Sequence, residues 1–236
     1  YYTRPSDPGA ERIGWNGDFY TSSDVHPILG QAMARQAAQI DALLGYPDPF
    51  MIVEMGPGKG LLAKHLLSHC QLMSKSLAQR LRYVLIECSP AMRALQQEQL
   101  TPWLRHSGPV SWLENISSLA PGSITGLMFS NELPDAFPVH RVEKVGHGLK
   151  EIFVEVRDGR FVECLRDLST PAIEDYFRDL QVELPEGYRT EINLRAPVWM
   201  RQVAASMNRG VVITIDYGHS AEDLYGPQRS KGTLLC

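Results

Sequence analysis

The stretch Phe50-Met-Ile-Val-Glu-Met-Gly-Pro-Gly-Lys-Gly60 limits what this chain can fold into more than any other. Its apolar half reads as a short buried strand, and glycines at positions 56, 58 and 60 sit where that strand turns into a helix bearing Leu61, Leu62, Leu66 and Leu67. Glycine permits a left-handed backbone and leaves no Cβ between main chain and ligand, so the bend predicts a nucleotide-like molecule. Spacing narrows the choice. A dinucleotide fingerprint starting at Gly56 needs glycine at position 61, where Leu61 stands. A phosphate-binding P-loop needs Ser or Thr after Gly-Lys, whereas Gly60 follows Lys59. NAD and ATP are both disfavoured.

Tyr83-Val-Leu-Ile-Glu87 reads as the second strand, and Ser89-Pro90 supplies an N-cap with proline at the first position of a helix that carries Met92 and Leu95. Residues 110–113, 124–130 and 211–216 read as the third, fourth and fifth strands, the last preceded by a helix with Trp199, Val203 and Met207. An earlier helix starts between Asp24 and Pro27, carries Leu29, Met33, Ile40, Leu43 and Leu44 on one side, and stops at Gly45. Strands alternating with helices predict an α/β fold around a mostly parallel sheet with helices on both faces. Residues 139–165 interrupt it with antiparallel strands turning at Asp158-Gly159, and Thr170-Pro171 caps a short helix. The segments expected are 1–48 as an N-terminal lid and helix, 49–138 as a cofactor-binding core, 139–188 as an insertion over the sheet's carboxyl edge on the substrate side, and 189–236 as the return to the sheet.

An acid followed by three glycines at alternate positions suits S-adenosylmethionine, which has no phosphate but carries a charged amino-acid tail; Glu54 offers its ammonium a counter-charge. Glu87, ending the second strand with Ser89 beside it, can accept both ribose hydroxyls, as the acid does in dinucleotide folds. Glu114 or Asn115, after the third strand, is placed to meet the adenine edge.

Other chemistries find less support. Lys and Arg total 23 against 27 Asp and Glu, a net charge of −4 that gives no general attraction to nucleic acid or anionic lipid. No apolar run approaches the roughly 18 residues that span a bilayer, and the chain reads as soluble. Cys70, Cys88, Cys164 and Cys236 form no C-x-x-C pair and read as reduced, buried thiols. His65 and His69 share a helix face, but no third metal ligand accompanies them, so no metal is expected. Neither Ser22 nor Ser130 lies in a nucleophile elbow. His140, Arg141, Lys144 and Lys150 make the insertion locally basic, either as a solvated strand face or as a surface for an acidic partner. The chain opens at Tyr1-Tyr2 and stops within an apolar run, as expected of a piece of a longer protein.

Five blocks now stand in order: Gly17-Asp-Phe-Tyr-Thr-Ser22, Val53-Glu-Met-Gly-Pro-Gly-Lys-Gly60, Ser130-Asn-Glu-Leu-Pro-Asp-Ala-Phe-Pro-Val139, Arg189-Thr-Glu-Ile-Asn193 and Ile215-Asp-Tyr-Gly218. Together they resemble the MidA-like methyltransferases. The resemblance implies a seven-stranded Rossmann-like class I methyltransferase that uses S-adenosylmethionine. It also implies, through the branch that includes a mitochondrial complex I assembly factor, a protein arginine as acceptor and a respiratory complex subunit as partner. The compartment implied is the bacterial cytoplasm, or the mitochondrial matrix in a eukaryote.

Methyl transfer from a sulfonium is an in-line displacement that depends chiefly on alignment. An arginine acceptor needs carboxylates to orient its guanidinium and to collect a proton. Glu132, with Asn131 before it and Asp135 three residues on, follows the fourth strand and is the first candidate; Glu191 and Asp216 are further ones. Each has a plain alternative as a turn cap or structural ion pair. Gly17, Asp18, Phe19 and Thr21, with Ser22, form a candidate lid over the cofactor, or a surface turn. The competing functional reading is an assembly or binding protein that retains the pocket without catalysis; single-turnover methylation separates the two. A nicotinamide dehydrogenase is a third, revived by hydride exchange with NADH.

Overall fold

The computed structural model describes residues 25–104 and 108–234, which divide between two compact units. The first holds the described chain up to Leu133 together with Gln202–Asp216; the second holds Pro134–Arg201 and the chain from Tyr217.

The first unit is built on a five-stranded sheet: β1 (Phe50–Met55), β2 (Leu81–Ile86), β3 (Val110–Leu113), β4 (Ile124–Asn131) and β9 (Met207–Ile215), in spatial order β3-β2-β1-β4-β9 with every pair parallel. Burial on both faces explains the near-continuous apolar runs Phe50–Val53 and Tyr83–Leu85. One face is covered by α1 (Ile28–Leu43) and α2 (Leu61–Met73), whose Met33, Ala34, Ala37, Leu62, Leu66 and Leu67 pack with Phe50, Ile52, Tyr83 and Phe129. The short α3 (Lys75–Arg80), capped by the Ser74 hydroxyl on the Leu77 amide, adds Leu77. α4 (Pro90–Gln99) links β2 to β3. α6 (Arg195–Ser206) ends on the opposite face, where the Ser206 hydroxyl meets Met128 Sδ at 3.3 Å and Val203 is buried.

Several sequence expectations shift here. Leu43 is 78% exposed although it was assigned to the buried side of α1; Ala34, Ala37 and the Asp41 carboxylate take that side, the last held by both Nη atoms of Arg80. Met207 lies in β9, not in the preceding helix, because the strand runs past Gly210 to pair with the start of β4. There Gly126 and Gly210 lie opposite each other, and a Cβ on either would strike a neighbouring strand's carbonyl oxygen, that of Met51 or of Gly126. Cys70 is buried as expected, and burial pushes its thiol up to about 12, but Cys88 is exposed.

The second unit carries an antiparallel sheet of β5 (His140–Val145), β6 (Gly148–Arg157), β7 (Arg160–Arg166) and β8 (Arg189–Ile192), in order β7-β6-β5-β8. Asp158-Gly159 forms the expected tight hairpin, both residues in left-handed backbone. α5 (Ala172–Leu180) starts where the Ala172 amide donates to the Thr170 hydroxyl, and it packs Ile173 and Phe177 with Val142, Tyr188, Ile192 and Tyr225. Pro171, not Thr170, occupies the cap position.

Candidate functional site

Chain direction assembles the site. Since the five strands are parallel, their carboxyl ends share one edge, and the connections reverse direction between β1 and β4, the switch point where open α/β sheets bind ligands. The bend follows β1, Glu87 follows β2, Glu114 follows β3, Glu132 follows β4 and Asp216 follows β9. The sheet thus brings five sequence candidates to one rim.

The three glycines of the bend serve different ends. All have positive φ: 68° at Gly56, 54° at Gly58 and 83° at Gly60. A Cβ on Gly56 would lie 2.9 Å from Leu133 Cδ1, and one on Gly60 would lie 3.2 Å from Gln96 Cγ; one on Gly58 would meet nothing within 4 Å. Only Gly58 therefore faces open space, and the outer glycines make room for protein. The Gly60 amide donates to the Pro57 carbonyl at 2.9 Å and its own carbonyl accepts from Lys64, which starts α2.

Glu87 is partly buried, and burial raises its carboxyl pKa against the lowering effect of its hydrogen bonds. Its Oε1 accepts from the Ser89 amide at 2.8 Å and its Oε2 from Gln96 Nε2 at 3.1 Å. Ser89 is a support here: its hydroxyl accepts from the Met92 amide and caps α4. Gln96 was not anticipated. The sequence reading names only Met92 and Leu95 on this helix, yet Leu95 is 44% exposed and Gln96 is fully buried. A helical-face count that admitted polar residues would have found it, four positions before the buried Leu100.

Glu54 is placed differently from its expected contact with an ammonium. It is 2% exposed, and its Oε2 accepts the Tyr83 hydroxyl proton at 2.6 Å. Burial pushes its pKa up to about 8, with the Tyr83 bond pulling the other way. A carboxyl that is protonated at neutral pH offers no counter-charge.

On the other side of the switch point, Glu132 is the only non-glycine residue of the described sheet edge with positive φ, 50°, a conformation that costs about 1–3 kcal/mol and clusters at functional positions. Its amide donates to the Ile215 carbonyl at 2.8 Å, extending the β4–β9 ladder so that Glu132 and Asp216 end neighbouring strands. Asn131 Nδ2 reaches Glu132 Oε1 at 3.5 Å. Asp135 and Glu191 belong to the second unit. Asp135 lies in the turn Pro134–Ala136, and Glu191 accepts from the Thr233 amide at 2.7 Å while facing Arg141 at 3.8 Å. Glu114 is exposed. Gly17, Asp18, Phe19, Thr21 and Ser22 lie outside the described residues. Among the described residues no three metal-ligating side chains cluster, and no helix is long and apolar enough to cross a membrane.

A β3-β2-β1-β4-β9 parallel sheet with a glycine bend after its central strand and an acid after the next defines the Rossmann-like methyltransferase class. Residues 32–236 match the family of S-adenosyl-L-methionine-dependent methyltransferases, and the chain belongs to it. It is similar to a structure from Burkholderia thailandensis solved bound to S-adenosyl-homocysteine, with 31% identity and a TM-score of 0.80 over 95% of this chain and 56% of that one. Among curated proteins it is 28% identical to the protein arginine methyltransferase NDUFAF7, mitochondrial, of Mus musculus over 89% of this chain and 52% of that protein. It is 24% identical to the NDUFAF7 homolog of Drosophila melanogaster over 89% of this chain and 52% of that protein. The chain thus spans about half the length of these relatives.

Proposed function

We propose that this chain forms the cofactor-binding part of an enzyme that transfers a methyl group from S-adenosylmethionine to an arginine of a protein. The observation that carries the reading is the pairing of Gly58, open to space at the bend, with the Glu87 carboxylate held in place at the end of β2. When bound, the cofactor supplies an electrophilic methyl on a sulfonium. The Gly58 backbone lies against it, and Glu87 takes the ribose hydroxyls with the lone pairs left by Ser89 and Gln96. Glu54 supports the bend from the core. Glu114 lines the adenine side.

Glu132 and Asp216 orient the acceptor guanidinium, Asn131 positions Glu132, and Glu132 receives the proton released after attack. The arginine preference is carried over from the named activity of the NDUFAF7 relatives. Asp135 and Glu191 serve the second unit in binding the substrate, a protein, in the fullest version a respiratory complex subunit in the mitochondrial matrix or its bacterial counterpart. Single-turnover transfer from labelled S-adenosylmethionine to cell-extract protein tests the reading. Glu132→Gln is expected to lower that rate about a hundredfold while leaving S-adenosylhomocysteine affinity intact. Equal rates would remove Glu132 from the chemistry, and no transfer by the wild type with intact cofactor affinity would favour a binding role.

A further inference from the structure

We infer that Gln96 is the positioning residue of the cofactor site, locking the Gly58 carbonyl and the Glu87 carboxylate into one arrangement. This rests on reading the bend as the S-adenosylmethionine site. The carboxamide of Gln96 has two hydrogens and one oxygen, and the fold uses all three groups. Nε2 donates to the Gly58 carbonyl at 2.7 Å and to Glu87 Oε2 at 3.1 Å, while Oε1 accepts from Trp112 Nε1 at 2.8 Å. An indole N–H only donates and a peptide carbonyl only accepts, so the amide has one possible orientation. With both hydrogens committed, Gln96 has none to offer a ligand and acts through its neighbours.

Three segments far apart in sequence are fixed by this one side chain: the bend after β1, the acid after β2, and β3 through Trp112. The Ser89 amide holds the other oxygen of Glu87, Arg93 Nε donates to the Glu87 main-chain carbonyl at 2.7 Å, and the Glu87 amide donates to the Leu113 carbonyl at 3.0 Å, so the residue is held at four points. Burial raises the Glu87 carboxyl pKa, and the bonds from Ser89 and Gln96 pull the other way, towards the charged form that accepts from both hydroxyls. The absence of a side chain at Gly60 belongs to the same device, because a Cβ there would press on Gln96 Cα at 3.3 Å.

The test is S-adenosylhomocysteine affinity by calorimetry for the wild-type chain, Gln96→Met, Gln96→Glu, Glu87→Gln and the Glu87→Gln/Gln96→Met double variant, with folding checked by circular dichroism. Gln96→Met is expected to weaken binding about ten- to a hundredfold in a folded protein. The same change in the Glu87→Gln background should cost less, since part of what Gln96 does runs through Glu87 and only the Gly58 contact is left to lose. Gln96→Glu places a second carboxylate against Glu87, so its affinity should rise as pH falls, whereas that of the wild type should not. Wild-type affinity in folded Gln96→Met, additive losses in the double variant, or a flat pH profile for Gln96→Glu would each overturn the assignment and leave the cofactor reading standing. No affinity in the wild type would overturn both.

Discussion

Two buried acids, one in each unit, are treated in opposite ways. Glu54 in the parallel sheet is 2% exposed and Glu151 in the antiparallel sheet is 6% exposed, yet the first is pushed up to about 8 and the second falls below the usual carboxylate range. Burial raises both. Glu54 has the Tyr83 hydroxyl as its hydrogen-bond donor, whereas Glu151 meets His140 Nδ1 at 2.7 Å and the Ser169 amide, also at 2.7 Å. Depth and donors act together: Glu54 is wholly enclosed with one donor, whereas Glu151 lies shallower and has two, so its hydrogen bonds prevail. Glu163, at the surface with Arg141 and Arg189 on its oxygens, shows the third case: its pKa is lowered by the bond from Arg141, against little burial.

Removing Glu151 should break the contrast most severely. Glu151→Ala leaves the Ser169 amide and the half-buried His140 ring without their acceptor and is expected to cost about 2–3 kcal/mol at pH 7 by denaturant titration. The loss should shrink as pH falls below the ordinary carboxyl value, because a group with a lowered folded pKa gives up its stabilisation there.

Glu54 has the reverse sign. Between its ordinary value of 4.5 and about 8 the unfolded chain ionises while the folded chain keeps the proton, so stability drops as pH rises through that window and levels off above it. Glu54→Gln should abolish the drop, so that the variant gains stability over the wild type at pH 9 relative to pH 5. Parallel stability curves for variant and wild type would show that Glu54 is ionised at neutral pH. The smallest effect belongs to Glu163→Gln, under about 1 kcal/mol by thermal unfolding, since water screens that pair.

Much of the first unit was legible in the sequence because buried parallel strands are apolar along their whole length; 50–53 and 83–85 admit few other readings. The rim acids were legible for the same reason, standing where each run stops. Partnerships across strands were not. Glu54 reads as a ligand contact until the β1–β2 register puts Tyr83 on its face, with Glu54 paired to Leu85 two residues on. Gln96 was missed because an amide in a helix is ordinarily a surface residue, and nothing local shows that Gly58, Glu87 and Trp112 converge on it. The facing Gly126 and Gly210 pass for ordinary strand residues until the pairing of β4 with β9 is known.

The contact between Gly56 and Leu133 bears on how inherited or engineered variants of such a protein are interpreted. Leu133 directly follows Glu132, so any bulk added at position 56 presses on the residue next to the one assigned to the acceptor. A lesion at this glycine would masquerade as a failure to recognise the recipient of the methyl group even when its origin lies on the donor's side, and phenotype alone would misassign it.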